Sequence, residues 1–221
     1  MFSQLIDIDK QWLLAINSFH ATWADELMWI VSQSKTWLPL YAVLVVALIV
    51  RFWHERSRIG LRTERRAVEW EVPTVCIALL MFAIAVGGAD LLCAQVIKPL
   101  VARPRPTHDA EIGALVQVVN DYRGGAYGFC SNHAANTMAC ATLFAAIITY
   151  RKPAWMHIYI TLPLMLWVGV NCYSRMYLGV HYPLDIIAGL MVGGLMAWLV
   201  WLFGKEYLFP HEARGHLDVV E

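Results

Sequence analysis

The short stretch Ser174–Asp185, SRMYLGVHYPLD, joins two apolar segments and concentrates side chains that can do chemistry. Charged groups next to hydrocarbon are costly, so such a cluster at a membrane edge indicates function. Pro183 is typical of the first turn of a helix, which places Asp185 where its carboxylate can reach back to one nitrogen of His181. An imidazole oriented by a carboxylate and flanked by Arg175 has the equipment of a nucleophile beside an anion clamp.

A second polar segment, Lys98–Pro106, reads KPLVARPRP. Its prolines prevent a continued helix, so the basic side chains of Lys98, Arg103 and Arg105 emerge on a stiff, bent segment. Rigidly presented cations suit a phosphate, whose oxygens accept forked hydrogen bonds from guanidinium groups. The alternative is that these cations only extend to lipid headgroups.

A third polar segment, GFCSNH at 128–133, precedes an apolar run. Ser131 or Asn132 is a suitable N-cap, and the exposed N–H groups of that helix start favour an anion. His133 lies within the first turn, where a lone histidine is more often a core or interface residue. Taken together, the cations, helix starts and two histidines predict phosphoryl transfer, in which catalysis is largely positioning and charge stabilisation.

The three segments resemble the type 2 phosphatidic acid phosphatase (PAP2) superfamily, which includes membrane lipid phosphatases and soluble vanadium haloperoxidases. The matching pattern along residues 98–185 is Lys98-x6-Arg105-Pro106, then Ser131-x-His133, then Ser174-Arg175-x5-His181-x3-Asp185. The spacing from Lys98 selects Arg105 over Arg103 as the family's arginine. The family's usual Pro-Ser-Gly-His reads Cys130-Ser131-Asn132-His133 here, and the side chain at position 132 is expected to restrict how closely that backbone approaches a phosphate.

The resemblance implies a role for each matching residue. His181 would attack phosphorus and form a phosphohistidine, while Asp185 orients its imidazole. His133 would protonate the leaving group and then help to activate water. The implied phosphate-binding residues are Lys98, Arg105, Ser131, Asn132 and Arg175. By the same resemblance the reaction needs no metal and no cofactor.

Composition places the chain in a membrane. Apolar residues make up 59% of its 221 residues and charged residues 15%, against roughly 25% charged in an average soluble domain. Ten tryptophans and nine tyrosines fit aromatic belts at two lipid–water interfaces. The net charge of zero indicates no nucleic-acid partner. The five cysteines form no CxxC pair and fall mostly within apolar runs, so buried free thiols are expected.

Hydropathy predicts an all-α, polytopic membrane helical bundle with five to six transmembrane helices, and the resemblance implies a PAP2/haloperoxidase-like core. The five firm spans are 37–53, 72–97, 131–150, 155–173 and 184–204, with an arginine-rich loop at 54–71. Residues 4–19 have the spacing of an amphipathic interfacial helix without a chemical role, and residues 12–33 are the candidate sixth span. The predicted divisions are an N-terminal amphipathic or interfacial region at 1–35, a PAP2-like transmembrane phosphatase domain at 36–204 and a short cytoplasmic tail at 205–221.

The distribution of positive charge predicts the orientation of these spans. One side, predicted to be cytoplasmic, receives Arg51, Arg56, Arg58, Arg62, Arg65, Arg66, Arg151, Lys152 and Lys205. The opposite side receives all three polar segments, with Lys98, Arg103, Arg105, Arg123 and Arg175, and an anionic ligand there would explain this charge. The expected location is therefore the cytoplasmic (inner) membrane of a bacterium, with the active site facing the periplasm.

These features predict an integral membrane phosphatase that hydrolyses a phosphomonoester or pyrophosphate on a lipid. Undecaprenyl pyrophosphate, phosphatidylglycerol phosphate, phosphatidic acid and lipid A phosphates are all open as substrates, and membrane lipids are the expected partners. The alternative function is a catalytically degenerate lipid-phosphate binding or transport protein. A competing interpretation of the site makes His133, His181 and Asp185 metal ligands, although three nearby cations would repel the metal ion.

Overall fold

The computed structural model describes residues 2–59 and 64–209, and helices account for most of them. The α-helices of this part of the chain are α1 (Phe2–Asn17), α2 (Thr22–Ser32), α3 (Leu38–Ile59), α4 (Glu64–Leu91), α5 (Lys98–Val101), α6 (Asn132–Thr149), α7 (Ala154–Tyr177) and α8 (Pro183–Leu208). Six residues of π-helix, Leu92–Ile97, join α4 to α5 without a break. The predicted all-α fold is confirmed.

Among the described residues, four helical segments are long and apolar enough to span a membrane: Ser34–His54, Pro73–Val101, Ala154–Tyr177 and Pro183–Leu208. They coincide with four of the five predicted spans. The fifth, 131–150, forms α6, whose first turns are rich in polar residues; it is not in this group, so the predicted total of five to six is not confirmed. Residues 12–33 form no continuous span, because the chain leaves the helix between Asn17 and Thr22.

The arginine-rich segment at 54–71 is more helical than the predicted loop. Helix α3 continues to Ile59, and α4 begins at Glu64. Arginine and glutamate are good helix formers, so both helices extend beyond their apolar parts. Residues 60–63 lie outside the described part of the chain, as does the predicted tail from residue 210 onwards. The division of the chain at residues 35 and 204 stays a prediction.

Helix α6 is the centre of the bundle and packs against α4, α7 and α8. Its buried face is lined by alanines, which let neighbouring helices approach closely. A Cβ atom added to Gly193 of α8 would lie 2.1 Å from the carbonyl oxygen of Ala135, and one added to Gly189 would lie 2.5 Å from that of Ser131. The backbones of α6 and α8 are therefore in direct contact, which holds the starts of both helices together.

Gly193→Ala is expected to destabilise the protein by roughly 1–3 kcal/mol or more, because the new methyl group would overlap a backbone carbonyl that cannot move freely. Gly169→Ala in α7 is the matched control, since a Cβ atom there meets nothing within 4 Å. Thermal unfolding of both variants in the same detergent is the measurement. Equal unfolding temperatures for wild type and Gly193→Ala would contradict the direct contact of α6 with α8.

Candidate active site

His181 lies two residues before α8 and is almost completely buried. Pro183 is the first residue of α8, as predicted, and Asp185 falls in the first turn. Oδ2 of Asp185 accepts the backbone N–H of Tyr182 at 3.0 Å and lies 3.4 Å from His181 Nδ1. Within the described part of the chain Nδ1 has no hydrogen-bond partner, and Asp185 Oδ2, 3.4 Å away, is a carboxylate oxygen that can accept from it.

Arg105 comes from the long loop between α5 and α6, which doubles back so that the Arg105 N–H donates to Ala126 O at 3.0 Å. Two carbonyl oxygens hold its guanidinium, with Nε 3.1 Å from Tyr127 O and Nη1 3.2 Å from Val180 O. Nη1 also lies 3.4 Å from His181 Nε2. The guanidinium is therefore fixed beside the imidazole nitrogen that Asp185 leaves available.

Arg175, in the last turn of α7, is buried and contacts the end of α2. Its Nη1 donates to Ser32 Oγ, and its Nη2 donates to Tyr122 OH at 3.2 Å. The carbonyl oxygen of Ser32 lies 3.2 Å from His133 Nε2. Ser32 thus contacts a predicted phosphate ligand and a predicted proton donor, a position that no pattern in the sequence signals.

Asn132, which replaces the family's glycine, connects Lys98 to α4. Lys98 Nζ donates to Asn132 Oδ1, and Asn132 Nδ2 donates to Asp90 Oδ1 at 2.7 Å. Asn136, one turn further along α6, donates to the same Asp90 oxygen at 2.9 Å. Asp90 therefore makes hydrogen bonds between helices, and the Asn132 side chain fixes the predicted phosphate-binding lysine.

Ser131 caps α6, as predicted, since its Oγ accepts the N–H of Ala134 at 3.4 Å. Its own N–H donates to the carbonyl oxygen of Asp185 at 3.0 Å. The starts of α6 and α8 are thereby joined directly near His181. Helix N-termini carry partial positive charge and unpaired N–H groups, so both favour a bound anion at this place.

The three polar segments of the sequence meet at His181. Burial lowers the pKa of His181 well below its usual value of 6.5, and the positive charges of Arg105, Arg175 and Lys98 lower it further, with a smaller contribution from His133. The imidazole is therefore neutral at pH 7, which is the nucleophilic form. The structure brings all eight predicted site residues into this cluster: His181, His133, Asp185, Lys98, Arg105, Ser131, Asn132 and Arg175.

Neither the acidic side chains nor the thiols of the described residues make a metal centre. No group of three His, Cys, Asp or Glu side chains in this part of the chain is arranged to hold a metal ion. The five cysteines are free thiols, as the sequence predicts, and three of them are buried. Two of the buried ones, Cys93 and Cys130, place their sulfur atoms 2.8 Å apart.

The part of the chain that matches a known protein family contains this whole cluster. A sequence model described as the PAP2 superfamily matches residues 74–208, which is more than half of the chain and includes all eight residues around His181. The chain belongs to the PAP2 superfamily. The resemblance carried by the three polar segments is thereby confirmed, and the protein is a PAP2-type membrane lipid phosphatase.

Individual relatives of this phosphatase are similar over most of its length. It is 34% identical over 207 residues to a lipid A 4′-phosphatase of Bacteroides thetaiotaomicron, covering 93% of this chain and 81% of the relative. It is 27% identical over 221 residues to a lipid A 4′-phosphatase of Porphyromonas gingivalis, covering 98% and 82%. A crystal structure of a transmembrane PAP2-type phosphatidylglycerolphosphate phosphatase from Bacillus subtilis has a TM-score of 0.62 at 21% identity, covering 92% of this chain and 87% of that one, which shows the shared fold.

Two residues of this phosphatase that the sequence did not select contact Asp185 or its helix. The family spacing from Lys98 favours Arg105 over Arg103, yet Arg103 Nη1 donates to Asp185 Oδ1 at 3.1 Å. Arg103 Nη2 donates at 2.7 Å to Asp9 Oδ2 in α1, the helix for which the sequence predicts no chemical role. Neither contact has a local sequence signal, because Arg103 is 82 residues from Asp185 and 94 residues from Asp9 along the chain.

The neutral state of His181 predicts a specific pH dependence of the stability of the phosphatase. In the unfolded chain the imidazole takes up a proton as the pH falls through about 6.5, whereas the buried imidazole, with its lowered pKa, does not. The neutral His181 therefore contributes its full share to the free energy of unfolding above about pH 6.5, and this contribution decreases as the pH falls below that value. Between pH 8 and pH 5 the unfolding temperature should fall more steeply for wild type than for His181→Gln. Parallel plots of unfolding temperature against pH for the two proteins would contradict this.

Proposed function

We propose that this phosphatase hydrolyses a lipid phosphate through a phosphohistidine on His181. The observation that carries the proposal is the position of His181, buried between the carboxylate of Asp185 and the charges of Arg105, Arg175 and Lys98. In the first step His181 Nε2 forms a bond to phosphorus while the bond from phosphorus to the lipid oxygen breaks. Asp185 holds Nδ1 and offsets the positive charge that develops on the ring.

His133 is the proposed general acid and base. His133 takes up a proton when the anionic phosphate binds among the cations and gives it to the departing lipid oxygen in the first step. In the second step it takes a proton back from the water that attacks phosphorus. The second step breaks the bond between His181 and phosphorus and releases inorganic phosphate. The proposed ligands of the non-bridging oxygens are Lys98, Arg105, Arg175, Ser131 and Asn132, which stabilise the charge of the transition state. The proposed chemistry is complete without a metal ion or cofactor.

The proposed substrate is the 4′-phosphate of lipid A. Two relatives that match this chain over 81% and 82% of their own length are lipid A 4′-phosphatases. Undecaprenyl pyrophosphate, phosphatidylglycerol phosphate and phosphatidic acid share the same phosphate chemistry but differ in the group that carries it. The choice among these lipids therefore depends on the part of the site that binds sugar and acyl chains.

An apolar groove supports a lipid substrate. It has a volume of about 330 Å³ and lies between α3, α4 and α6, lined among others by Tyr41, Leu44, Leu79, Phe82 and Asn136. Asn136 belongs both to this groove and to the hydrogen bonds that connect Asp90 and Asn132 with Lys98. The proposed occupant of the groove is an acyl chain of the substrate, which would leave its phosphate near Lys98.

The proposed location is the cytoplasmic (inner) membrane of a bacterium, with the site facing the periplasm. The support is the distribution of positive charge along the sequence, which places arginines of the 51–66 segment on the opposite side from the three polar segments. A fluorescent protein fused after Glu221 should fold and fluoresce, because the predicted tail is cytoplasmic. A fused periplasmic alkaline phosphatase should be inactive at the same position, and the reverse pattern would overturn this orientation.

The substrate proposal is tested with purified protein in detergent and a panel of lipids. The panel contains lipid A with both phosphates, with the 4′-phosphate alone and with the 1-phosphate alone, together with the three other lipids named above. We expect the fastest phosphate release from the 4′ position, read by mass spectrometry of the product. A preference for another lipid would contradict lipid A as the substrate but leave the proposed phosphohistidine mechanism standing. No phosphate release from any lipid would favour a binding or transport protein.

A further inference from the structure

We propose that Asp9 and Arg103 are positioning residues of this phosphatase, which hold Asp185 so that one of its oxygens stays available to His181. This inference rests on the proposed role of His181 as the nucleophile. Asp9 is 3% exposed and Asp185 is fully buried, so the ion pairs that Arg103 makes with both carboxylates are largely shielded from solvent. Asp9 lies in α1, far from the catalytic segments in the sequence and in contact with them in the fold.

The guanidinium of Arg103 is divided between two carboxylates. Nη1 donates to Asp185 Oδ1 at 3.1 Å, and Nη2 donates to Asp9 Oδ2 at 2.7 Å. A guanidinium that faces one carboxylate alone tends to bind both of its oxygens. Because Asp9 occupies Nη2, Asp185 gives only Oδ1 to Arg103 and keeps Oδ2 for the Tyr182 N–H and for His181 Nδ1.

The same contacts anchor α1 to the helix that carries Asp185. Asp9 Oδ1 accepts the Leu184 N–H at 2.9 Å, one of the first-turn donors of α8 that have no partner within the helix. The guanidinium carbon of Arg103 lies 3.7 Å from the centre of the Tyr182 ring, a close cation–π contact. Asp9 and Arg103 therefore fix each other against the two residues on either side of Pro183.

Arg103 also supplies the cation that a buried carboxylate needs, since an isolated buried charge is unfavourable. Without it, Asp185 would take up a proton more readily and would no longer accept a hydrogen bond at both oxygens. The titratable and charged groups that face Asp185 are Arg103, Arg105, Asp9, His181, Tyr182 and the thiol of Cys130. Arg105 is turned toward His181 and two carbonyl oxygens, so it does not replace Arg103.

The test compares Asp9→Asn, Arg103→Gln and Arg103→Lys in the full-length protein in detergent, with phosphatidic acid and lipid A as substrates. Asp7→Asn is the matched control, because it removes the same charge from an exposed position of the same helix. We expect Asp9→Asn and Arg103→Gln to lower kcat by about tenfold to a hundredfold, with little change in KM. In Arg103→Gln the acid side of the kcat/KM profile should move to higher pH, and Arg103→Lys should restore it, because lysine keeps the cation.

A second measurement does not depend on activity. The unfolding temperature of Arg103→Gln should fall further below that of wild type as the pH rises from 5 to 8, because the Asp185 carboxylate then ionises without its cation. Asp7→Asn should show no such trend. Wild-type kcat in Asp9→Asn together with an unchanged pH profile and unfolding curve in Arg103→Gln would overturn the inference. If those variants are fully active while His181→Gln is inactive, the proposed function stands and this inference falls. If wild type releases no phosphate, the proposed function falls and this inference falls with it, and the unfolding curves then show only whether Arg103 stabilises the Asp185 carboxylate.

Discussion

Replacing His181 by glutamine is expected to reduce phosphate release from lipid phosphates by at least about a thousandfold, because a covalent mechanism then loses the atom that attacks phosphorus. Glutamine fills a similar space and can accept a hydrogen bond near Arg105, but its amide does not form a bond to phosphorus. The imidazole that is lost is neutral at pH 7 and lies 3.4 Å from both Asp185 Oδ2 and Arg105 Nη1. The effect should fall on kcat, since the cations that bind phosphate remain.

The measurement is phosphate release by wild type and His181→Gln in detergent, with and without EDTA. His157→Gln is the matched control, because His157 is an exposed histidine of α7. Wild-type activity should survive EDTA, and acid-labile phosphate should become attached to wild type but not to His181→Gln during turnover. A His181→Gln variant that is folded and as active as wild type would show that another group attacks phosphorus. If EDTA abolishes wild-type activity and a divalent cation restores it, the result would favour the interpretation in which His133, His181 and Asp185 are metal ligands.

Arg105→Lys should lower kcat/KM by about 10²- to 10³-fold, the usual effect of removing one donor to a developing oxyanion. Lysine keeps the positive charge but has no planar fork. In the wild type Nε and Nη1 bond the carbonyl oxygens of Tyr127 and Val180 while the same group faces His181 Nε2. A single ammonium group does not hold these two carbonyl oxygens and a phosphoryl oxygen together.

Steady-state kinetics and inhibition by vanadate, an analogue of phosphate, measure this effect. Vanadate should inhibit Arg105→Lys much more weakly than wild type, because lysine lacks the guanidinium fork that is proposed to bind the phosphoryl oxygens. Arg123→Lys is the matched control, since Arg123 is an exposed arginine of the same loop. Wild-type kcat/KM and vanadate sensitivity in Arg105→Lys would show that charge alone is needed at this position.

The helices of this phosphatase follow from local features of the sequence. Of the five spans that apolar runs predict, four coincide with helical segments long and apolar enough to cross a membrane, and Ser131 and Pro183 predict where α6 and α8 begin. The loop predicted at 54–71 is wrong for most of its length, because hydropathy detects where a helix leaves hydrocarbon and not where it ends. Helix α6 shows the opposite limit, since its polar first turns lower its hydropathy although its alanine face lies at the centre of the bundle.

Motif spacing also determined which residues could form the site. The eight residues selected from three separate segments, His181 among them, lie together in the structure. Spacing along the chain determines only the positions of residues that are close in sequence, such as His181 and Asp185, which lie on either side of the start of α8. Their roles in the reaction remain proposals that the variants above test.

Only the tertiary structure decided what holds these residues in place. Asp9 reaches Leu184 across 175 residues of sequence, and Ser32 reaches Arg175 across 143. Asn132 joins Lys98 to Asp90, and Arg103 joins Asp9 to Asp185. Such contacts leave no periodic pattern, because each depends on how whole helices pack and on which buried polar group needs a partner once water is excluded.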